Sequence, residues 1–296
     1  MSRIDWIAAD WGTTNLRVWG MSDSGTVLET AQSEKGMGKL SKDAFEPALK
    51  ELVDPWVGSL TTVVACGMVG SRQGWTEASY ATVPCNTAPG QFYRPEVFDP
   101  NLDVHIIPGI RQMDPADVMR GEETQIAGFL ALNPDWDGVI CLPGTHTKWV
   151  HISANEVVSF QTFMTGEMFS LLSKNSVLQH SVGKDLNTAG FERGVEEAIA
   201  RPERLAARLF SLRAESLLID QDRATSTGRL SGLLIGAELA GAKPYWLGQQ
   251  VAVLGAGPLS KLYVDALATQ SVQATQVQGE RATLAGLTAA YRQIKE

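Results

Sequence analysis

Positive charge is in short supply in this chain. Its 296 residues carry 25 Lys and Arg against 33 Asp and Glu, a formal net charge of −8 with a sequence pI near 5.1. A surface of that sign lacks the basic footprint that a phosphate backbone demands, which excludes nucleic acid as a partner. Cysteine is scarcer still. Cys66, Cys85 and Cys141 are odd in number and far apart, a pattern that fits neither a zinc knuckle nor a disulfide framework and points to reduced, mostly buried thiols. Long hydrophobic runs are missing too. The longest apolar helix candidate, 230–242, is short and interrupted by Glu238, and the first strand candidate begins at Arg3, leaving no room for a signal peptide. The expectation is a soluble, cytoplasmic protein without a membrane partner. Low-complexity tracts are absent, no helix-turn-helix precedes the first strand, and a homo-oligomer is left open.

What is present is an ordinary globular composition, 44% hydrophobic, on a chain longer than one core usually serves. Two lobes are therefore expected. The runs 4–9, 15–21 and 26–34 read as a three-strand meander, followed by a helix over 43–57 and strands at 62–66 and 104–108. A helix over 122–132 closes at Asn133-Pro134. The tract Asn133-Pro134-Asp135-Trp136-Asp137-Gly138 is the best lobe boundary, giving lobes 1–133 and 134–296. The meander then restarts at 139–142, 148–153 and 157–163. Helices are expected at 167–174, 202–218, 229–240 and 259–268, strands at 251–254 and 272–275, and a terminal helix at 281–293, which is free to return to the N-terminal lobe.

The chemistry concentrates at Asp10-Trp11-Gly12-Thr13-Thr14-Asn15-Leu16-Arg17. A carboxylate at the end of an inner strand is well placed to hold a hydrated divalent cation such as Mg²⁺. Gly12 permits close backbone approach, Thr13 and Thr14 offer amide and hydroxyl donors to phosphate oxygens, and Arg17 adds a charge-assisted contact. A weaker copy recurs at Pro143-Gly144-Thr145-His146-Thr147-Lys148. There Gly144, Thr145 and Thr147 are the matching donors, while Leu142 stands where Asp10 would be, so the metal belongs to the first half. His146 and Lys148 are open between phosphate contact and plain solvation.

Other glycine-rich stretches need sorting. Gly255-Ala256-Gly257 lacks the third glycine of a dinucleotide fingerprint and reads instead as a nucleoside platform after a strand. Lys35-Gly36-Met37-Gly38-Lys39 fails as a P-loop because a single residue separates its glycines, and Gly36, Met37 and Gly38 are better placed lining a substrate site. Ser71, Arg72 and Trp75 form a mixed polar and aromatic patch suited to a carboxylate-bearing sugar. Phosphoryl transfer to a hydroxyl also needs an orienting carboxylate. Glu122, in the first turn of its helix, is the leading base, with Glu123, Asp117 and Asp114 as alternatives and Asp117 also a substrate contact.

These motifs, together with Cys66-Gly67-Met68-Val69-Gly70-Ser71 and Asp117-Val118-Met119-Arg120-Gly121-Glu122-Glu123-Thr124-Gln125, give the chain an end-to-end similarity to a known family. It resembles the 2-dehydro-3-deoxygalactonokinases of the actin, Hsp70 and sugar kinase superfamily. The resemblance implies an α/β fold of two ribonuclease H-like lobes with ATP in the cleft between them. It also implies ATP- and Mg²⁺-dependent phosphorylation of the terminal hydroxyl of 2-dehydro-3-deoxy-D-galactonate, a small sugar acid, in galactonate breakdown. Asp10, Gly12, Thr13 and Thr14 take the first phosphate motif, Gly144, Thr145 and Thr147 the second, and Gly255, Ala256 and Gly257 the adenosine motif. Many superfamily sugar kinases place an aspartate base at a helix start, where this chain has Gly121-Glu122-Glu123. A similar Gly-Glu-Glu context in exopolyphosphatases of the superfamily supports Glu122 or Glu123 without deciding between them.

Overall fold

A computed structural model describes residues 4–255 and 257–296. The chain divides into two compact units: Met1–Trp136 with Ser153–Ser159 and Gly279–Glu296, and Asp137–Ile152 with Phe160–Gln278. This is not a single cut near Asn133, because the C-terminal helix and a short piece of the second meander belong to the first unit.

In the first unit β1 (Trp6–Trp11), β2 (Leu16–Met21) and β3 (Val27–Ser33) form the meander, followed by α1 (Phe45–Val53) and β4 (Thr61–Gly67). The helix expected over 43–57 is shorter because Pro55 cannot continue it, and Asp54–Trp56 turns as a 3-10 segment. After β5 (Tyr80–Thr82) and β6 (Cys85–Asn86) come β7 (Leu102–Ile106) and a hairpin of β8 (Gly109–Met113) and β9 (Ala116–Met119). That hairpin, unforeseen in the sequence, joins β5 in a separate three-stranded sheet. Next is α2 (Glu122–Leu132). The main sheet runs β3-β2-β1-β4-β7, with β1 antiparallel to β2 and parallel to β4.

Central β1 is covered on both faces, as the period of two in its side chains requires. Ile7, Ala9 and Trp11 pack with Phe45 and Leu49 of α1, and Trp6 and Ala8 pack with Leu287 and Tyr291 from the C-terminal helix. Trp6 stacks on Tyr291 at 4.4 Å between ring centroids.

The second unit repeats the plan with β10 (Gly138–Leu142), β11 (Thr147–Ser153) and β12 (Glu156–Phe163). Helices α3 (Thr165–Asn175), α4 (Thr188–Ala200), α5 (Leu205–Leu218), α6 (Arg223–Gly241) and α7 (Lys243–Trp246) follow. Then come β13 (Val251–Leu254), α8 (Pro258–Thr269) and β14 (Thr275–Val277), and α9 (Gly279–Lys295) ends the chain in the first unit. Helix α4 was not foreseen, and the last strand lies at Thr275–Val277 rather than 272–275. The strand order β12-β11-β10-β13-β14 matches β3-β2-β1-β4-β7 position for position, with β10 antiparallel to β11 and parallel to β13. Two-residue β6 pairs with Glu156 and Val157, the part of β12 that belongs to the first unit.

Candidate functional site

The hairpin between β1 and β2 carries the first motif. Asp10, next to last in β1, lies opposite Arg17 on β2 and beside Cys66 on β4, and the Arg17 guanidinium donates to Asp10 Oδ2. The other oxygen, Oδ1, has the Cys66 thiol at 4.0 Å. Asp10, Gly12, Thr14 and Arg17 line a depression of about 440 Å³ together with Gln32, Ser33 and Glu34. Thr13 and Thr14 are exposed, and among the described residues nothing accepts from either amide. Asp10 and the turn at Gly12 and Thr14 thus line an open, polar site.

The expected substrate loop meets this turn differently. Gly36 donates to Thr14 O at 3.1 Å, Met37 to Gly12 O at 3.0 Å and Gly38 to Thr13 O at 2.9 Å. The segment Gly36-Met37-Gly38 therefore braces the phosphate turn by occupying its carbonyls. A Cβ on Gly36 would overlap the Thr14 backbone, so only glycine permits that approach.

The start of α2 reaches the same place from below β4. Cys66 is hydrogen-bonded to Thr124, and burial followed by the nearby charges of Asp10 and Glu123 pushes its thiol far up. Glu123 is only 2% exposed, and its Oε2 accepts from the Gly121 amide at 2.6 Å. Burial, then the charge of Glu122, raises its carboxyl to about 8. Glu122 is half-buried and accepts from the Arg120 amide at 3.1 Å. Of the remaining candidates, Asp114 is exposed in the β8–β9 turn and Asp117 is half-buried on β9, accepting from the Val118 amide at 2.8 Å. Neither belongs to the helix start.

Trp75 corrects the sugar-acid patch. It lies in the core, 6.2 Å from Phe45 in a stacked pair and 6.1 Å from Trp11 edge-on. Its apolar bulk covers the meander rather than facing a ligand. Ser71 is buried with its hydroxyl unpartnered, and Arg72 is exposed.

In the second unit the register of β10 and β11 sets Lys148 opposite Leu142, the relation that Arg17 has to Asp10. The spacing hid this equivalence, because the second turn is one residue shorter. Gly144 is half-buried and Thr145 exposed, and they line a cavity of about 460 Å³ with Thr165, Lys184, Pro258 and Tyr263. Thr147 corrects another expectation. It is wholly buried, and its hydroxyl pairs with the Tyr263 hydroxyl at 2.9 Å, so it supports the turn from behind. His146 pairs with Glu167 at 2.6 Å, and Lys148 Nζ lies 3.4 Å from His146 O.

A buried carboxylate absent from the sequence-based candidates stands behind this turn. Glu238 accepts from Trp149 Nε1 and from the Tyr263 hydroxyl, both at 2.7 Å. Burial raises it to about 7, against the lowering influence of Thr165, Trp149 and Tyr263. The one signal available was Glu238 itself, a charge in the apolar C-terminal half of α6. Of the adenosine motif, Gly255 donates to Val277 O at 2.9 Å and Gly257 caps α8, whose Pro258 and Leu259 reach the cavity wall. Ala256 lies outside the described residues.

Two α/β units of one topology, each with a Gly-Thr turn at the tip of its first hairpin, have the fold of the actin, Hsp70 and sugar kinase proteins. The family model for 2-keto-3-deoxy-galactonokinase matches residues 10–290, and the chain belongs to that family. It is 37% identical to the "Probable 2-dehydro-3-deoxygalactonokinase" of Rhizobium meliloti, over 97% of this chain and 96% of that one. It is also 37% identical to the 2-dehydro-3-deoxygalactonokinase of Escherichia coli, over 95% and 96%. A crystal structure of a "putative 2-dehydro-3-deoxygalactonokinase protein" from Sinorhizobium meliloti superposes with a TM-score of 0.92 at 36% identity, covering 98% of this chain and 99% of that one. No helix among the described residues is long and apolar enough to cross a membrane.

Proposed function

We propose that this protein transfers the terminal phosphoryl group of ATP to the terminal (6-) hydroxyl of 2-dehydro-3-deoxy-D-galactonate, in galactonate breakdown. The near full-length family match carries this reading, and the intact Asp10 hairpin supports it. The Asp10 site suits Mg²⁺, a cation that keeps several waters and takes one or two carboxylates along with substrate phosphates. Asp10 lines an open polar depression while Arg17 holds its Oδ2. Bound there, Mg²⁺ would offset charge on the transferring phosphoryl group.

The chain's own residues do the rest. The Thr13 and Thr14 amides supply fixed donors to phosphate oxygens, with no reorganisation needed because the Gly36–Gly38 brace has already ordered the turn. Gly144 and Thr145 offer donors beside a cavity whose walls of Phe169, Leu234, Ile235 and Leu262 suit a nucleoside. Glu122 accepts the proton of the acceptor hydroxyl. Arg72, exposed beside the buried Ser71, is the candidate partner of the substrate carboxylate.

ADP release measured with and without 2-dehydro-3-deoxygalactonate tests the reading. Sugar-acid-dependent release is expected, and turnover no greater than the ATP-only background would count decisively against it. Phosphate release in the absence of any sugar acid would favour a hydrolase on the same scaffold.

A further inference from the structure

We propose that Glu238 is a positioning residue for nucleotide binding, acting through the Tyr263 hydroxyl and Thr165 to hold the second Gly-Thr turn and the cavity wall beside it. The inference rests on the ATP-dependent reading above.

The geometry points to this role in three ways. Glu238 is 3% exposed, yet among the described residues no Lys, Arg or His pairs with it. Its oxygens are met by neutral donors instead: Trp149 Nε1 on one, the Tyr263 hydroxyl on the other, and Thr165 in addition. A buried carboxylate without a cationic partner is expensive to desolvate, and this one is held only by the donors committed to it.

The donors also come from the elements that frame the ligand turn. Trp149 is on β11, Tyr263 on α8 and Thr165 at the first residue of α3, while Tyr263 and Thr165 both line the cavity with Gly144 and Thr145. One carboxylate therefore ties three elements together at a single point.

Finally, the chain of hydrogen bonds has a direction. With the carboxylate accepting from Tyr263, the Tyr263 oxygen accepts from the Thr147 hydroxyl at 2.9 Å. Thr147 begins β11 two residues after Thr145, so its side-chain anchor fixes the end of the turn whose donors face the cavity. Networks of this kind specify one arrangement because each member is costly to leave unpaired.

The test uses the full chain with Tyr263→Phe, which keeps the ring and deletes the hydroxyl, and with Glu238→Gln. Calorimetric titration with ATP and Mg²⁺, without sugar acid, reads nucleotide affinity directly, and steady-state kinetics read KM and kcat. About a tenfold rise in the ATP Kd is expected for each variant, and the double variant should be no weaker than the worse single one, since both break the same chain. KM for ATP should rise in parallel, while KM for the sugar acid stays within about twofold. A lower Tm with an unchanged ATP Kd would overturn the proposal by showing a purely structural role. Should Glu238→Gln fail to fold, Tyr263→Phe decides alone. Wild type that binds ATP but ignores the sugar acid would sink the proposed function and leave this inference standing, whereas wild type that binds no ATP would sink both.

Discussion

Gly36 lies so close to Thr14 that a Cβ on it would overlap the Thr14 carbonyl carbon and amide nitrogen. The second unit repeats the arrangement with Gly166, where a Cβ would overlap Gly144 O and crowd Thr145. Each glycine falls three residues past the end of the third meander strand, β3 or β12. The two-fold repeat therefore includes the braces of the phosphate turns as well as the turns themselves.

Gly36→Ala and Gly166→Ala should each displace a turn and cost about 1–3 kcal/mol through overpacking. Nucleotide affinity should fall with them by about tenfold or more, read by titration alongside denaturant melts. Gly12→Ala is the contrasting case. Its Cβ would meet only Asn15 O at 3.6 Å, an ordinary contact, so its melting curve should match wild type while ATP binding weakens. Equal destabilisation by Gly12→Ala and Gly36→Ala would contradict the bracing role.

Asp10 and Arg17 form a pair that is partly open to solvent, with side-chain exposures of 19% and 40%. A pair so placed contributes little to stability, about 1 kcal/mol at most. Asp10→Asn should therefore fold normally and lose about 10²-fold or more in turnover, measured as ADP release over a range of Mg²⁺ concentrations. Turnover within a few-fold of wild type would remove Asp10 from the reaction.

Trp75→Ala should behave as a core truncation. Loss of the stack on Phe45 and the edge contact with Trp11 is expected to cost about 3–5 kcal/mol, seen as a lower denaturant midpoint. The sugar-acid KM of the folded enzyme should stay near wild type. A raised KM without destabilisation would return Trp75 to the ligand.

Glu123 gives a pH signature. Its folded carboxyl lies at about 8 against an ordinary 4.5, so the stability linked to its bound proton is complete below about pH 4.5 and is lost as pH rises through about 8. Glu123→Gln keeps an acceptor for the Gly121 amide and cannot ionise. Relative to wild type it should gain stability from about pH 4.5 to about pH 8 and level off above that, by on the order of a few kcal/mol. Parallel stability curves for the two proteins would show that Glu123 is ionised throughout.

Much of this organisation was legible because it rests on local pattern. The two meanders, the Gly-Thr turns and the span of α2 follow from strand alternation, turn residues and the Asn133-Pro134 stop. What escaped depends on distant partners. Helix α4 was missed because Gly190 and Gly194 dilute its helical pattern, yet Gly194 sits there to let the α6 backbone approach near Arg229. Thr147 looked like a phosphate donor because it lies in the second Gly-Thr motif, and only the fold shows Tyr263, more than a hundred residues later, taking its hydroxyl. Trp75 resembled a ligand contact by its polar neighbours, whereas its partners Phe45 and Trp11 come from other elements.

The sequence favours Glu122 as the base with Glu123 among the alternatives, and burial separates these adjacent acids. Glu123 turns inward, 2% exposed, with its carboxyl spent on the Gly121 amide, so it cannot reach a substrate hydroxyl without breaking that bond. Glu122 stands half-buried at the helix start, with its carboxylate near the surface of the unit. Glu122→Gln should therefore lower kcat by about 10²–10⁴ with little change in either KM, the mark of an interaction made in the transition state. Glu123→Gln should retain kcat within a few-fold at neutral pH, where the wild-type side chain already carries its proton. If instead Glu123→Gln abolishes turnover at unchanged stability while Glu122→Gln is mild, the assignment reverses and Glu123 is the base.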